Sequence, residues 1–357
     1  MSVSSVEKKW STLQPEVEKC FFGFPPLRPY LISLAYGDEL ARLQKDNRWW
    51  AEDIFTDLYL RERPVRRVLS LCCGFGIVEQ HLLQRLPGAP SCMALDVAEG
   101  ALEVARERAA GLGLDIEYKR ADLNRCSFGD AEYDLVIANG ALHHLSNLEG
   151  VLEAVNRCLT PTGILYASET VGPSLQDFPS RQLELINAVA YLVPPELRLR
   201  RGFMGHSSRS GMIAHMMRDL LHGRLTIDER SFSGRELQMA RVLRRLFPSA
   251  RERHYEFAPL RISHKQKLLR EDPSEGVRSS EIIAVMRRTF GEVEEHPYGG
   301  PILTYALDRG FYDGYDDENP NHRALLDLFC NIERHYMSSG ELRTEHAILI
   351  ASRRPAM

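Results

Sequence analysis

The stretch VRRVLSLCCGFGIVEQHLL, residues 65–83, decides the fold of this chain. Its apolar run over residues 68–71 predicts a buried strand, and IVEQHLL predicts the first turns of a helix. Between them lie Gly74 and Gly76, which either make a tight turn or let the backbone approach a ligand at the start of the helix. The residue three positions after Gly76 is Glu79, so the G-x-G-x-x-G fingerprint of a dinucleotide site is absent, as is the G-K-[ST] ending of a triphosphate loop. The stretch therefore predicts a strand–loop–helix unit suited to a different ligand.

Apolar strands and amphipathic helices alternate from residue 65 to residue 172, which is typical of a parallel sheet covered on both faces. The five predicted strands end in residues that are polar or small, namely Cys72, Asp96, Asp122, Asn139 and Glu169. Because ligands of open α/β sheets bind beyond the carboxyl ends of the strands, these residues are expected to face one crevice.

The regular alternation stops after residue 172. Several helices are predicted over 173–278, and further strands over 291–299 and 345–354 complete a seven-stranded α/β sheet. The predicted organisation has three parts, which are a helical cap at 1–64, a sheet core at 65–172 and 279–357, and a helical insertion, or lid, at 173–278.

The composition excludes several classes of protein. A formal net charge of −4 argues against a dedicated nucleic-acid binder. No apolar window is as long as a membrane span, and the first residues lack the apolar core of a signal peptide. Seven cysteines form no C-x-x-C pair and no zinc spacing, which fits a reducing compartment. We therefore expect a cytoplasmic protein, and we expect no metal, because the strand ends offer no evident cluster of hard oxygen ligands.

Three strand ends together describe a site shaped for adenosine. Asp96 closes the second strand, where a carboxylate can accept both ribose hydroxyls, or else cap the following helix. Asp122 closes the third strand and could accept the amino group of an adenine. The segment NGALHH, residues 139–144, is a turn directly after the fourth strand.

As a set, these motifs resemble the class I S-adenosylmethionine-dependent methyltransferases. The motifs that carry the resemblance are VLSLCCGFG, MALDV, RADL, YDLVIANGALHHL and CLTPTGILYASE. The resemblance implies a Rossmann-like fold, S-adenosylmethionine as the cofactor, and methyl transfer to a small-molecule acceptor in a biosynthetic pathway. The residues that it places at the cofactor are Ser70, Cys72, Gly74, Gly76, Asp96, Val97, Asp122, Leu123 and Asn139.

Two residues depart from the family pattern. The family usually has an acid at the position of Ser70, which helps to bind the methionine amino group, and a glycine at the position of Cys72. The Ser70 hydroxyl or another carboxylate must therefore serve, and the side chain of Cys72 should restrict φ and make the loop slightly less open. One alternative is a methyltransferase-like scaffold without activity. An NAD-dependent oxidoreductase is disfavoured by the missing third glycine.

The sulfonium methyl group is already activated, so such an enzyme mainly aligns the reactants and excludes water. A base is needed only where the acceptor loses a proton, and the candidates are Glu169, His143 and His144. Glu169 could instead stabilise a cation or be a solvated carboxylate, and His144 could only shape the pocket. Trp50, in the tandem Trp49-Trp50, either closes over the substrate or belongs to the core.

The insertion suggests the kind of substrate. Residues 173–278 contain 19 lysines and arginines against 12 aspartates and glutamates, and Arg201 and Arg209 flank a segment rich in glycine and serine. Arginine suits phosphate and carboxylate groups, so we expect an anionic acceptor such as a diphosphate, a phosphosugar or a carboxylate, unless the arginines only form a solvated face. RNA is the weaker alternative, because the fourth motif lacks an N-P-P-Y-like form. Nucleic acid and membrane are not expected as partners, and a homo-oligomer is left open.

Overall fold

The computed structural model describes residues 20–197, 272–307 and 309–355, and within them one mixed sheet. Its strands are β1 Arg67–Leu71, β2 Ser91–Asp96, β3 Ile116–Arg120, β4 Tyr133–Asn139, β5 Leu159–Thr170, β6 Glu292–Gly299 and β7 His346–Ser352. Their order is β3-β2-β1-β4-β5-β7-β6. Neighbouring strands from β1 to β5 pair in parallel, whereas β7 is antiparallel to both β5 and β6. The predicted seven-stranded, Rossmann-like sheet is confirmed.

Helices cover both faces of this sheet. Their bounds are α1 Arg28–Tyr36, α2 Asp38–Gln44, α3 Trp50–Phe55, α4 Ile77–Arg85, α5 Glu99–Leu112, α6 Leu148–Cys158, α7 Ser180–Leu192, α8 Ile282–Thr289, α9 Leu303–Ala306, α10 Arg309–Gly314 and α11 Pro320–Ser338. The apolar run of β1 serves both faces, because alternate residues of a strand point in opposite directions. Val68 packs in the core beneath α4 and α5, whereas Leu69 and Leu71 pack in the core beneath α6 and α8.

The described part of the N-terminal segment is largely helical, as expected, but it packs mainly on a face of the sheet rather than over its open end. The Phe55 ring lies 4.4 Å from the Tyr166 ring of β5, and the Tyr59 hydroxyl donates to Glu294 of β6 at 2.6 Å. The apolar side chains of this segment, including Phe55, belong to the same buried core as Tyr166 of the sheet, and their burial favours this position. Phe22, near the start of the segment, reaches the carboxyl end of β5, where its ring lies 4.6 Å from His346, and Trp50 packs against Tyr298 at the end of β6.

Most of the predicted lid, from residue 198 to residue 271, lies outside the described residues. Its first helix, α7, packs against the core, and Gln182 donates to the carbonyl of Pro301 at 2.9 Å. The chain is described again from Asp272, on the approach to α8. Among the described helices, none is both long and apolar enough to cross a membrane.

Candidate functional site

The loop between β1 and α4 has the backbone shape that its glycines predict. Gly76 has φ of +72°, and a Cβ there would lie 2.5 Å from the Tyr118 hydroxyl, so only glycine fits without displacement. Gly74 has φ of +52°, but a Cβ there would meet no heavy atom within 4 Å. The tight packing at Gly76 thus fixes the loop from below, and the open space at Gly74 leaves room for a ligand above it.

Cys72 adopts the conformation of the glycine that it replaces. Its φ is +46°, so the expectation that its side chain would restrict φ and narrow the loop is corrected. The neighbouring loop bonds favour this shape, because the Cys73 N–H donates to the Leu95 carbonyl at 3.1 Å and the Gly76 N–H donates to the Cys73 carbonyl at 2.9 Å. A left-handed conformation costs a non-glycine residue about 1–2 kcal/mol. The loop therefore stores strain at this position.

The thiols of this loop are not activated. Burial, and then the charges of Asp96, Glu169 and Asp122, raise the pKa of the Cys72 thiol well above its usual value. Burial and the charge of Glu79 raise the pKa of the Cys73 thiol in the same direction. Both cysteines are therefore protonated and unreactive at neutral pH.

A carboxylate lies beneath the loop, close to the position where the family usually carries an acid. The Ser70 hydroxyl donates to Glu79 Oε2 at 3.3 Å, and Glu79 is 1% exposed. Within the described part of the chain its Oε1 has no hydrogen-bond partner. Burial raises the pKa of Glu79 to about 7. Glu79 is too deeply buried to touch a ligand, so its contribution to the loop is electrostatic and structural.

Asp96 joins the glycine loop to the end of β2. Its Oδ2 accepts the Gly74 N–H at 2.8 Å, and its Oδ1 accepts the Ala98 N–H at 2.8 Å. Burial raises its pKa, although the backbone N–H bonds act in the opposite direction. The adjacent Val97 carbonyl accepts Arg120 Nε at 3.2 Å. Asp96 therefore holds the glycine loop and caps the turn before α5. The same carboxylate also stands at the position where a ribose is expected.

The ends of β3 and β4 expose polar groups toward the same crevice. Asp122 caps the short turn Leu123–Arg125 by accepting the Asn124 N–H at 3.1 Å, and its side chain is 30% exposed. Leu123 is buried, whereas Asn139 is exposed at the last position of β4. These positions fit an adenosine site, with Leu123 as apolar support rather than as a polar contact.

Glu169, at the end of β5, is buried and committed to the turn after β4. Its Oε1 accepts the N–H groups of Ala141 and Leu142 at 2.8 and 2.7 Å. Its Oε2 accepts the His143 Nδ1–H at 2.8 Å and, at 3.4 Å, the His143 backbone N–H. Its side chain is 0% exposed, so the alternative of a solvated carboxylate is excluded. The arrangement suits a residue that positions His143 better than one that touches a substrate.

The two histidines of the turn have opposite electrostatic surroundings. Burial alone lowers the pKa of His143, but the hydrogen bond and the charge of Glu169 outweigh it, and the net shift is upward. Burial, with help from His143, lowers the pKa of His144 to about 4, so this imidazole is neutral at pH 7. Their rings lie 4.2 Å apart, and both meet the segment 272–278.

The sequence pattern did not identify the segment 272–278 or Tyr298 as parts of the site. Glu275 Oε1 lies 3.7 Å from His143 Nε2, and Ser274 Oγ lies 3.1 Å from His144 Nδ1. The Tyr298 hydroxyl at the end of β6 lies 3.3 Å from Ser168 Oγ. A serine–glutamate pair just before a capped helix was the only sequence signal.

Of the three predicted substrate residues, the structure describes Trp50 alone. Trp50 is 5% exposed and packs edge-on against Tyr298 with ring centres 5.7 Å apart, as the core interpretation of the tandem tryptophans expects. Arg201 and Arg209 lie outside the described residues.

Comparison with known proteins agrees with this geometry. Residues 68–163 match the family model described as a methyltransferase domain. The segment from β1 to β5 is therefore a class I S-adenosylmethionine-dependent methyltransferase domain, which confirms the family and the cofactor class that the sequence motifs predict.

The similar proteins extend over part of the chain only. A demethylmenaquinone methyltransferase of Thermus thermophilus is 31% identical over 38% of this chain and 60% of its own length. A malonyl-[acyl-carrier protein] O-methyltransferase of Legionella pneumophila is 31% identical over 39% of this chain and 48% of its own. The crystal structure of an S-adenosylmethionine-dependent methyltransferase of Mesorhizobium loti covers 30% of this chain and 49% of its own, with 28% identity and a TM-score of 0.27. The chain thus spans about half the length of the relatives that it matches.

Proposed function

We propose that this protein transfers a methyl group from S-adenosylmethionine to a small-molecule acceptor. The observation that carries the proposal is the arrangement of Gly74, Asp96 and Asp122 at three neighbouring strand ends inside the matched domain. The residues fit the cofactor, because the backbone at Gly74 opens into free space while two carboxylates stand at the positions suited to the ribose and the adenine.

Each residue of the proposed cofactor site has its own role. The Gly74–Gly76 backbone permits close approach, Asp96 accepts ribose hydroxyls, and Asp122 accepts the adenine amino group. When bound, the cofactor supplies an electrophilic methyl group on a sulfonium. Ser70 in β1 stands where the family usually has an acid, so the buried negative potential of Glu79 beneath the loop favours the cationic end of the cofactor from a distance.

On the acceptor side, the chain provides a rigid turn. Glu169 fixes His143 through its Nδ1–H and holds the turn through three backbone N–H groups. The neutral imidazole of His144 is able to take a proton from an acceptor that loses one. Alignment of acceptor and methyl group supplies most of the rate enhancement, up to roughly 7–11 kcal/mol for ideal geometry.

The acceptor proposed is anionic and small. The excess of arginine in residues 173–278 supports the anionic character, with Arg201 and Arg209 as the residues to test. Replacing both arginines with alanine should raise the KM for the acceptor and leave the affinity for S-adenosylmethionine unchanged.

Calorimetric titration with S-adenosylmethionine and S-adenosylhomocysteine tests the cofactor directly. We expect binding by the wild type, at least tenfold weaker binding by Asp96→Asn, and no change in Asp130→Asn, an exposed aspartate at the opposite end of the sheet. Thermal unfolding of each variant separates lost binding from lost folding.

A release assay for S-adenosylhomocysteine with a panel of phosphorylated and carboxylated metabolites then tests turnover. Binding without turnover on any acceptor class would favour the inactive scaffold. Absence of binding by the folded wild type would overturn the proposal.

A further inference from the structure

We propose that His143, His144 and Glu275 form a binding site for one divalent transition-metal ion, beside the crevice described above. Each of the three side chains offers one ligand atom, and these atoms all lie within 4.8 Å of one another. His143 Nε2 and Glu275 Oε1 are already 3.7 Å apart. Ligand atoms around a tetrahedral zinc ion with bonds of 2.0–2.1 Å lie about 3.3 Å apart, so a small side-chain movement closes the site.

Hydrogen bonds orient both imidazoles as metal ligands are usually oriented. The His143 Nδ1–H donates to the buried Glu169 at 2.8 Å, which directs Nε2 toward Glu275. A carboxylate that holds the second nitrogen of a histidine is the usual support of a metal-binding imidazole, because it fixes the tautomer and the ring orientation.

His144 has a comparable support. The Ser274 hydroxyl donates to Asp272 Oδ1 at 2.6 Å, so the serine oxygen accepts from His144 Nδ1 at 3.1 Å. The tautomer with a proton on Nδ1 leaves Nε2 with the lone pair that a metal needs. Nε2 is therefore the metal-binding nitrogen that these hydrogen bonds favour in both histidines.

The backbone around Glu275 is fixed against the turn that carries the histidines. The Val277 N–H donates to the His143 carbonyl at 3.0 Å, and the Gly276 carbonyl accepts the Leu175 N–H at 2.7 Å. Arg278 binds both Glu149 of α6 and Glu281. The backbone of Glu275 is therefore held in place next to the histidines. Its side chain is 23% exposed, which leaves space for it to rotate toward a metal ion.

The ligand set selects the metal. Two imidazoles and one carboxylate suit zinc, iron, cobalt or manganese, whereas magnesium and calcium prefer oxygen alone. No metal was expected because the strand ends offer no evident cluster of hard oxygen ligands, whereas two of the three ligands here are imidazoles. Three protein ligands leave at least one position for water or for an oxygen or nitrogen atom of an acceptor, which, if the proposed function holds, would bind the acceptor next to the transferred methyl group. With a metal bound, His144 is a ligand and no longer the base, and the metal would instead lower the pKa of the bound acceptor.

Zinc titration of the full chain, freed of any histidine tag and treated with EDTA, tests the site without cofactor or acceptor. We expect one Zn²⁺ per chain in the wild type and at least tenfold weaker binding in His144→Ala and in Glu275→Gln. His335→Ala, which changes an exposed histidine on α11, is the matched control and should bind like the wild type. Replacement by Co²⁺ should give the visible absorption bands of a coordinated ion in the wild type and in the control.

The hydrogen bond between His144 and Ser274 gives a second test of the metal site. Ser274→Ala keeps all three ligands but removes the oxygen that orients His144, so zinc affinity should fall by about 10–100-fold. Thermal unfolding without metal confirms that each variant is folded. Equal zinc affinity in the wild type, His144→Ala and Glu275→Gln, or no binding by the folded wild type, would overturn the proposal and leave an ion pair between His143 and Glu275. Because no cofactor is present, this result does not depend on whether S-adenosylmethionine binds.

Discussion

Two buried glutamates support the two loops of the site, and they do so in opposite ways. Glu169 lies under the turn after β4 and accepts three backbone N–H groups and one imidazole N–H. Glu79 lies under the loop after β1 and accepts the Ser70 hydroxyl at 3.3 Å, while its Oε1 has no partner at hydrogen-bond distance within the described residues. Its own backbone N–H and Tyr118 also lower its pKa, but burial outweighs all three groups. Both residues are 1% exposed, so burial alone does not distinguish them.

The difference lies in the hydrogen bonds that each carboxylate receives. A buried carboxylate is stabilised in its charged form when N–H groups surround it, and it favours the proton when they do not. Glu169 therefore stabilises its loop, whereas Glu79, whose pKa rises to about 7, makes the charged state of its loop costly near neutral pH. The turn after β4 is held rigidly by Glu169. The loop after β1 lies over Glu79, whose buried negative charge costs folding free energy but would attract the cationic end of the proposed cofactor.

Removal of Glu169 should have the largest effect of the changes considered. Glu169→Ala leaves three backbone N–H groups and the His143 Nδ1–H without their acceptor, and each unsatisfied buried donor costs about 1–3 kcal/mol. We expect a loss of roughly 3–6 kcal/mol, measured as a lower midpoint of urea unfolding. Glu169→Gln should lose less, because its amide oxygen still accepts. Equal midpoints in the wild type and Glu169→Ala would contradict the support assigned to this carboxylate.

Glu79 should make stability depend on pH. Its pKa is raised on folding from 4.5 to about 7, so its contribution is fully present below pH 4.5 and is lost as the pH rises through 7. The loss amounts to at most about 3 kcal/mol. Glu79→Gln keeps the shape without the charge, so the fall in melting temperature between pH 5 and pH 8 should be smaller than in the wild type.

Glu52 and Glu345 should contribute to the same pH dependence of stability. Burial also raises the pKa of each of these carboxyls to about 7, that of Glu52 in α3 and that of Glu345 just before β7. The wild type should therefore lose stability above pH 5 for several reasons, and Glu79→Gln should remove only one part of the loss. An unchanged pH profile in Glu79→Gln would show that Glu79 receives hydrogen bonds as Glu169 does.

The strained cysteine allows a smaller test of the loop after β1. At φ of +46°, Cys72→Val introduces a β-branched side chain where the backbone is least tolerant, and we expect a loss of about 2 kcal/mol. Cys72→Gly is the matched control and should lie within about 1 kcal/mol of the wild type, because relief of strain offsets the greater entropy of the unfolded glycine. Greater loss in the glycine variant than in the valine variant would contradict strain at this position.

The sequence predicted the sheet and the strand ends because both depend on local periodicity. The run over residues 68–71 forms the buried strand that its apolar character predicts, and Asp96 is the last residue of β2. The predicted end of the third strand at Asp122 is two residues too late, because β3 ends at Arg120 and Asp122 caps the turn that follows. The role of Glu169 was not predictable, because it depends on strand register. The pairing of Asn139 with Ser168 brings the end of β5 next to the turn that begins at Gly140.

The positions of the remaining site residues depend on long-range contacts that no local sequence pattern predicts. Glu275 meets His143 only because the chain returns to the sheet after the long segment that follows β5, and a backbone bond from Val277 completes that return. The shape of Cys72 is likewise set by its surroundings, because packing around Gly76 and the tie from Asp96 to Gly74 dictate the loop. Sequence patterns report such contacts only where a short motif encodes them.

Gly74→Ala should have the smallest effect on stability and should distinguish folding from binding in the loop after β1. A Cβ at this position meets no heavy atom within 4 Å, so the cost is the left-handed φ of +52° alone, about 1 kcal/mol. The added methyl group fills the space through which we expect the cofactor to approach, and S-adenosylmethionine affinity should fall at least tenfold, about 1.4 kcal/mol. The two quantities are measured on the same sample, by thermal unfolding and by calorimetric titration. Unchanged affinity in a folded Gly74→Ala variant would move the cofactor away from this loop, whereas a loss of stability well above 1 kcal/mol would show that Gly74 supports the fold as Gly76 does.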